Sequence, residues 1–274
     1  MAYCQEVRMI KPAKSHGLKR ISLSDKPKSL ITNNEVVKGA WNVQIITLFP
    51  DAFPGVLGLS LTGKALQCRS WTLSTIDLRD FGIGKHNKVD DTPSGGGPGL
   101  VIRADVLGPA IETALSRAEG YTRLVYLSPR GKTFNQQLAR KWSKSEGIIL
   151  ICGRFEGIDQ RVIDHYGIEE VSMGDFVMTG GEIAAQAMID TTVRLLPNVI
   201  GNRDSLKTES HSNGLIEHDQ FTRPNEWKGQ KIPQTLTSGH HGKIESWREN
   251  QSKSKTKRYR ADLWEKADLA KSKS

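Results

Sequence analysis

Three short segments combine glycine with a few polar and apolar side chains: YLSPRG (Tyr126–Gly131), CGRFEGID (Cys152–Asp159) and SMGDFVMTGGE (Ser172–Glu182). Glycine lets backbone amides and carbonyls approach a bound molecule closely. Three such loops together can enclose a flat heterocycle held mainly by main-chain hydrogen bonds. A single glycine after a strand is usually a turn, so the three are read as one site only because they follow one another. Competing chemistries are less well served. GLSLTGKA (Gly58–Ala65) has the GxxxxGK spacing of a phosphate-binding loop. However, Ala65 stands where a Ser or Thr must hold magnesium, and the segment does not directly follow a strand. No GxGxxG dinucleotide fingerprint is present. No CxxC or HxxxH pair offers zinc ligands, so no metal site is expected. Cys4, Cys68 and Cys152 are far apart and odd in number, which fits free thiols in a reducing compartment.

The elements that must hold these loops follow from periodicity. NVQIITLF, stopped by Pro50, is expected to be a buried strand, and Trp71–Leu78 a second one. Asp90–Leu100 is too rich in Gly and Pro to be regular. Asp105 is placed to cap a helix reaching about Ala118. Strand Arg123–Leu127 should end at Ser128-Pro129, and a helix should run from Asn135 to about Lys144. Strand Gly147–Cys152, helix Ile158–Tyr166, strand Ile168–Ser172 and helix Gly181–Arg194 follow. Strands alternating with helices predict a parallel α/β sheet, and ligands bind at the carboxyl ends of such strands, where all three glycine loops fall. After Pro197 a polar linker is expected, and then about 60 residues with no convincing strand. There, Ile244–Gln251 and Ala261–Ala270 suggest a small helical domain.

The 274 residues carry a net charge of +9 that is unevenly spread. Residues 1–40 contribute +5 (eight basic, three acidic) and 251–274 another +5, while 41–250 hold 23 basic and 24 acidic residues. Basic ends on a nearly neutral body favour a polyanionic partner such as RNA. No apolar run is long enough to span a membrane, and the amino terminus lacks a signal peptide's apolar stretch. A cytoplasmic protein with no membrane partner is expected.

Seven blocks occur in one order between Leu48 and His241: LFPDAF, HNKVDDTPSGGGPG, YLSPRG, CGRFEGID, SMGDFVMTGGE, FTRP and SGHH. Together they closely resemble the bacterial tRNA (guanine-N1)-methyltransferases of the TrmD family, a SPOUT-class group, over about residues 41–260. The resemblance implies a SPOUT-type parallel sheet with a C-terminal trefoil knot and a small helical C-terminal domain. The knot would be an exception to the rule against threaded connections. It implies a homodimer with each active site built across the interface, and S-adenosylmethionine as methyl donor. It also implies methylation of N1 of the guanosine at tRNA position 37, 3′ of the anticodon and preferably after another guanosine. Magnesium (Mg2+) is implied for activity, with no protein ligand readable. Carried over by motif, the cofactor pocket falls on Tyr126, Leu127, Ser128 and Pro129. It continues through Gly153, Phe155, Glu156 and Gly157, then Ser172, Met173, Gly174, Asp175, Phe176, Val177, Met178, Gly180 and Gly181. The family's catalytic base, an Asp, maps to Glu209, one methylene longer, and its arginine for the guanine O6 maps to Arg194. Glu217 is a second carboxylate candidate. Gly95–Gly99 resembles the element that receives the flipped-out guanine. FTRP, His240-His241 and the basic residues of Lys253–Arg260 are expected to grip the tRNA anticodon stem-loop.

The expected organisation is a basic extension (1–40), a catalytic domain (41–200), a linker carrying the base (201–215) and a tRNA-binding domain with a basic tail (216–274). Two other readings stand beside this one. The first is a non-catalytic RNA-binding SPOUT relative, suggested by Glu209 in place of Asp. The second is a nucleotide hydrolase using Gly58–Lys64, which Ala65 opposes.

Overall fold

A computed structural model describes residues 37–202 and 209–271. The expected extension therefore lies outside the described residues from 1 to 36, as does the linker from 203 to 208. Every residue of β1 (Trp41–Thr47) is buried, as a central parallel strand covered on both faces requires. It pairs in parallel with β2 (Trp71–Asp77). A small antiparallel bridge, β3 (Asp90–Asp91) with β4 (Val101–Ile102), closes the base of the Gly/Pro loop. β5 (Thr122–Thr133), β6 (Gly147–Cys152) and β7 (Glu169–Ser172) complete an all-parallel five-stranded sheet in the order β2-β1-β6-β5-β7.

Helices cover both faces. Val43, Ile45, Leu73, Val125, Ile148 and Leu150 join one core with α1 (Ser60–Gln67), α3 (Gln136–Trp142) and α5 (Glu182–Val193). Ile46, Ile76, Ile149 and Ile151 point the other way, to α2 (Ala104–Ser116) and α4 (Gln160–Tyr166). This two-residue alternation is the pleat of the strands. Gln44, on the second face, is buried and its Nε2 donates to the Ala114 carbonyl near the end of α2 (2.8 Å).

Several expectations change. β5 does not stop at Ser128-Pro129. Leu127 and Lys132 both lie opposite Val171, so residues 128–131 bulge out while the strand continues to Thr133. Pro129 cannot donate to a ladder, and the bulge is where a strand tolerates it. Asp105 does not cap α2; it lies in the first turn and receives two hydrogen bonds from the Arg103 guanidinium (2.9 and 2.7 Å). GLSLTGKA is no phosphate cradle: it forms a 3-10 turn and then α1. A Cβ on Gly63 would sit 2.1 Å from the Gly58 carbonyl oxygen, so this glycine serves helix packing.

The described residues divide into two compact units at Ile200/Gly201. The second is not purely helical. It holds a short hairpin, β8 (Glu226–Trp227) with β9 (Gln230–Lys231), then α6 (Gln234–Thr237), α7 (His241–Tyr259) and α8 (Ala261–Lys271). α7 extends the expected Ile244–Gln251 helix at both ends. Its buried Thr256 receives the Ile216 amide (3.0 Å), and Ser252 donates to the Ile216 carbonyl (2.6 Å). These bonds lay the segment before the hairpin along the helix. Among the described residues no helix is long and apolar enough to cross a membrane.

Candidate active site

The three glycine loops meet at the bulge of β5 and the carboxyl ends of β6 and β7. The bulge after Leu127 supplies the first wall. Gly153–Asp159, following β6, supplies the second, with Phe155 held at φ +58°. The third, from Met173 to Gly181, is tied to the second by the Gly181 amide donating to the Gly153 carbonyl (3.1 Å). A Cβ on Gly181 would lie 2.8 Å from the Cα of Cys152, so only glycine permits this approach. The loops enclose a cavity of about 310 Å³, within the size range of small-molecule sites.

Of the residues expected at the cofactor, Tyr126, Leu127, Ser128, Pro129, Gly153, Phe155, Glu156 and Gly157 line this cavity. Ser172, Met173, Phe176, Val177, Met178, Gly180 and Gly181 line it as well, while Gly174 and Asp175 do not. Met173 and Met178 are partly buried against the main core. Burial holds the Tyr126 hydroxyl above its ordinary range, with Arg130 opposing. It pushes the Cys152 thiol well up, helped by the negative charge of Glu182. A larger cavity, about 1,130 Å³, opens at the other edge of the sheet, near Trp41, Ser70 and Glu146. Those residues are at amino ends of strands or just before them, the edge that parallel sheets do not use for ligands.

Sequence reading missed the residue that joins the loops. Arg154 lines the cavity and donates from Nη2 to Glu182 Oε2 (2.7 Å) and from Nη1 to the Thr179 carbonyl (3.2 Å). Glu182, 4% exposed, also accepts from the Thr47 hydroxyl at the end of β1 (2.8 Å). The Arg154 guanidinium lies 4.3 Å from the centre of the Phe49 ring in LFPDAF. One buried carboxylate thereby ties the second and third loops to β1. A basic residue inside a glycine loop was the only signal, and nothing in the sequence paired it with Glu182.

The GGGPG loop is joined to the same wall. The Glu156 amide donates to the Leu100 carbonyl, and the Ile102 amide to the Gly157 carbonyl, each at 2.9 Å. A Cβ on Gly99 would come within 2.4 Å of Glu156 Cγ. At the loop's base Asp91 meets both Lys88 and Arg103 at 3.0 Å. The Lys88 hydrogen bond, with the Thr92 amide, holds the Asp91 carboxyl below the usual carboxylate range.

Arg194 and Glu209, the expected catalytic pair, are not among the residues that line this cavity. Arg194 is the C-cap of α5, one helix length from the Gly181 edge of the cavity. Glu209 and Glu217 belong to the second unit, where the Glu209 carbonyl accepts the Ser212 amide (3.2 Å) and the Glu217 amide donates to the Ser210 hydroxyl (3.1 Å). In that unit Lys255 pairs with Asp219 and Arg260 with Asp262, while His240 is the N-cap of α7. Among the described residues no three His, Cys, Asp or Glu side chains gather as a metal site would need.

Residues 41–266 match the family model described as tRNA (Guanine-1)-methyltransferase TrmD. The chain is 60% identical over 236 residues to a protein of Ruegeria sp. (strain TM1040), covering 86% of this chain and 97% of that one. It is 52% identical over 219 residues to one from Anaplasma phagocytophilum (strain HZ), covering 80% and 94%. With a Brucella ovis protein it shares 48% over 227 residues, covering 83% and 92%. All three relatives carry the name tRNA (guanine-N(1)-)-methyltransferase.

Proposed function

The chain belongs to the tRNA (guanine-1)-methyltransferase TrmD family, and on that premise we propose that it methylates N1 of the guanosine at tRNA position 37, preferentially after a guanosine, giving 1-methylguanosine. It is a tRNA methyltransferase, with S-adenosylmethionine as methyl donor, acting in the cytoplasm. The observation that carries this reading is the single cavity that three glycine loops form at the carboxyl edge of the sheet. The family's trefoil knot is part of the proposal. So is the division into extension, catalytic domain, linker and tRNA-binding domain.

The cavity's residues fit the donor. When bound, S-adenosylmethionine supplies an electrophilic methyl group on a positively charged sulfonium. Leu127, Met173 and Met178 clasp the flat adenine, and the amides and carbonyls of the glycine loops read its edge. The Glu156 carboxylate faces the positively charged end. Neutral guanine N1 carries a proton and has no free lone pair, so a base must act. Glu209 would take that proton, leaving the N1 electron pair to receive the methyl group as its bond to the donor's sulfonium sulfur breaks and the neutral thioether, S-adenosylhomocysteine, departs. Negative charge grows on O6 as the proton leaves, and the Arg194 guanidinium stabilises it. Gly95–Gly99 receives the extruded base, whose Watson–Crick edge extrusion exposes. FTRP, His240-His241 and Lys253–Arg260 hold tRNA phosphates, which adds affinity without base specificity. No protein ligand is assigned to the magnesium that the family implies, since among the described residues no three His, Cys, Asp or Glu side chains gather.

The enzyme works as a homodimer with each site completed across the interface. Two observations support this. Arg194, the C-cap of α5, lies ten residues beyond Ala184 of the cavity wall, and at about 1.5 Å per residue that is roughly 15 Å along the helix from its own chain's cavity. Large apolar side chains are bare near that edge: Val177 at 83%, Ile183 at 69% and Phe176 at 54% exposure. Such a patch marks an interaction surface.

The test is methyl transfer from labelled S-adenosylmethionine to two transcripts that differ only at position 37. Transfer to the guanosine transcript alone is expected. Transfer to neither, with RNA binding intact, would favour a non-catalytic relative.

A further inference from the structure

We propose that the Trp227–Lys228 tip of the β8–β9 hairpin is a stacking contact for an unpaired base of the tRNA substrate. This rests on the function proposed above and adds a residue that no motif assigned. The hairpin pairs Glu226 with Lys231 and Trp227 with Gln230, and the Ile232 amide adds a bond to the Asn225 carbonyl (3.0 Å). Its two turn residues, Lys228 and Gly229, have φ of +49° and +77°. That is the type I′ pattern, which favours Asn or Gly at its first position. A lysine held there is strained, and strain kept at an exposed tip points to use. The Lys228 ammonium lies 4.8 Å from the Trp227 ring centre.

All four strand residues of the hairpin are exposed, so the hairpin contributes nothing to a core. Trp227 is 60% exposed, whereas Trp41, Trp71 and Trp142 are at most 4% exposed. An indole left bare on a short polar hairpin is not there to stabilise the fold. Its neighbours choose the partner. Lys228 lies against the ring, Arg223 and Lys231 are within four residues of it in sequence, and the one acid among residues 223–231, Glu226, is matched by Lys231 (3.7 Å). A bare aromatic face with a lysine against it, in a basic segment, is a surface that holds unpaired nucleotides, with the base on the ring and phosphates on the charges.

The experiment measures binding of a fluorescent tRNA transcript to the full chain across a salt series, for wild type, Trp227→Ala, Trp227→Phe and Lys228→Ala. Trp227→Ala should weaken binding by about fivefold to a hundredfold with an unchanged salt slope. Trp227→Phe, which keeps an aromatic face, should recover most of that loss. Lys228→Ala should lower the salt slope by about one. S-adenosylmethionine affinity, measured alongside, should be the same in all four and shows that each is folded. Equal tRNA affinity in wild type and Trp227→Ala overturns the proposal. So does an affinity loss that coincides with a change of oligomeric state in sedimentation, since Trp227 would then join two copies. Methyl transfer by wild type is assayed first. Its absence would defeat the function proposed above, whereas activity with an indifferent Trp227 defeats only this inference.

Discussion

Replacing Arg154 by alanine removes a guanidinium that donates to a carboxylate with only 5% of its side chain exposed. Glu182 would keep the Thr47 hydroxyl (2.8 Å) as partner but lose its countercharge. Breaking a buried ion pair by deleting one member costs about 3–5 kcal/mol, because the other charge stays desolvated. For a domain of this size, with an m-value of about 2 kcal/mol per M, the urea midpoint should fall by roughly 2 M. Thr179 and Phe49 lose their contacts with the same group, so the wall of the cavity loosens and S-adenosylmethionine affinity should fall too. Glu182→Gln keeps an acceptor for Thr47 and should cost less, about 1–2 kcal/mol. In Arg154→Met/Glu182→Gln no unpaired charge is buried, and about half of the Arg154→Ala loss should return. The assay is urea unfolding of the four proteins, followed by fluorescence, with calorimetric titration of S-adenosylmethionine. An Arg154→Ala protein within 1 kcal/mol of wild type would refute the argument that this pair secures the loops.

Three further outcomes are expected. Glu209→Gln should lower single-turnover methyl transfer by about 10²–10⁴-fold, the usual worth of a general base, and leave S-adenosylmethionine affinity intact. Transfer at the wild-type rate would move the role elsewhere, to Glu217 first. Gly181→Ala must displace the backbone at Cys152 and should weaken the donor's binding by about 1–3 kcal/mol; an unchanged dissociation constant in calorimetry would contradict the packing argument. The raised Cys152 thiol bears on alkaline stability. Below its ordinary value near 9.0 the folded and unfolded chains both hold the proton, and its contribution is constant. Above that the unfolded state loses the proton first, so stability should fall as pH climbs towards the folded value. A Cys152→Ala protein should show a shallower decline, read by urea unfolding between pH 8 and 10.5, and an equal decline would rule the thiol out.

GIILIC and the apolar end of NVQIITLF made the central strands readable, because a strand buried on both faces reads as a nearly continuous apolar run. β5 was followed only to Pro129, since a proline is read as a stop until a bulge is seen to absorb it. The β8–β9 hairpin has two residues per strand, below the length at which alternation can register. Glycine loops announced the cavity, because their spacing is local. The Thr47–Glu182–Arg154 network was not legible, since it joins residues 135 positions apart. Chain order carries no trace of such a contact.

The reaction expected of this chain is transfer of a methyl group to N1 of one guanosine. The most direct test treats a tRNA transcript bearing guanosine at positions 36 and 37 with the enzyme and S-adenosylmethionine. The RNA is then digested, and the methylated nucleoside is identified and located by mass spectrometry. The expected result is 1-methylguanosine at position 37 and nowhere else. A methyl group on another atom, at another position or on no nucleoside at all would contradict it.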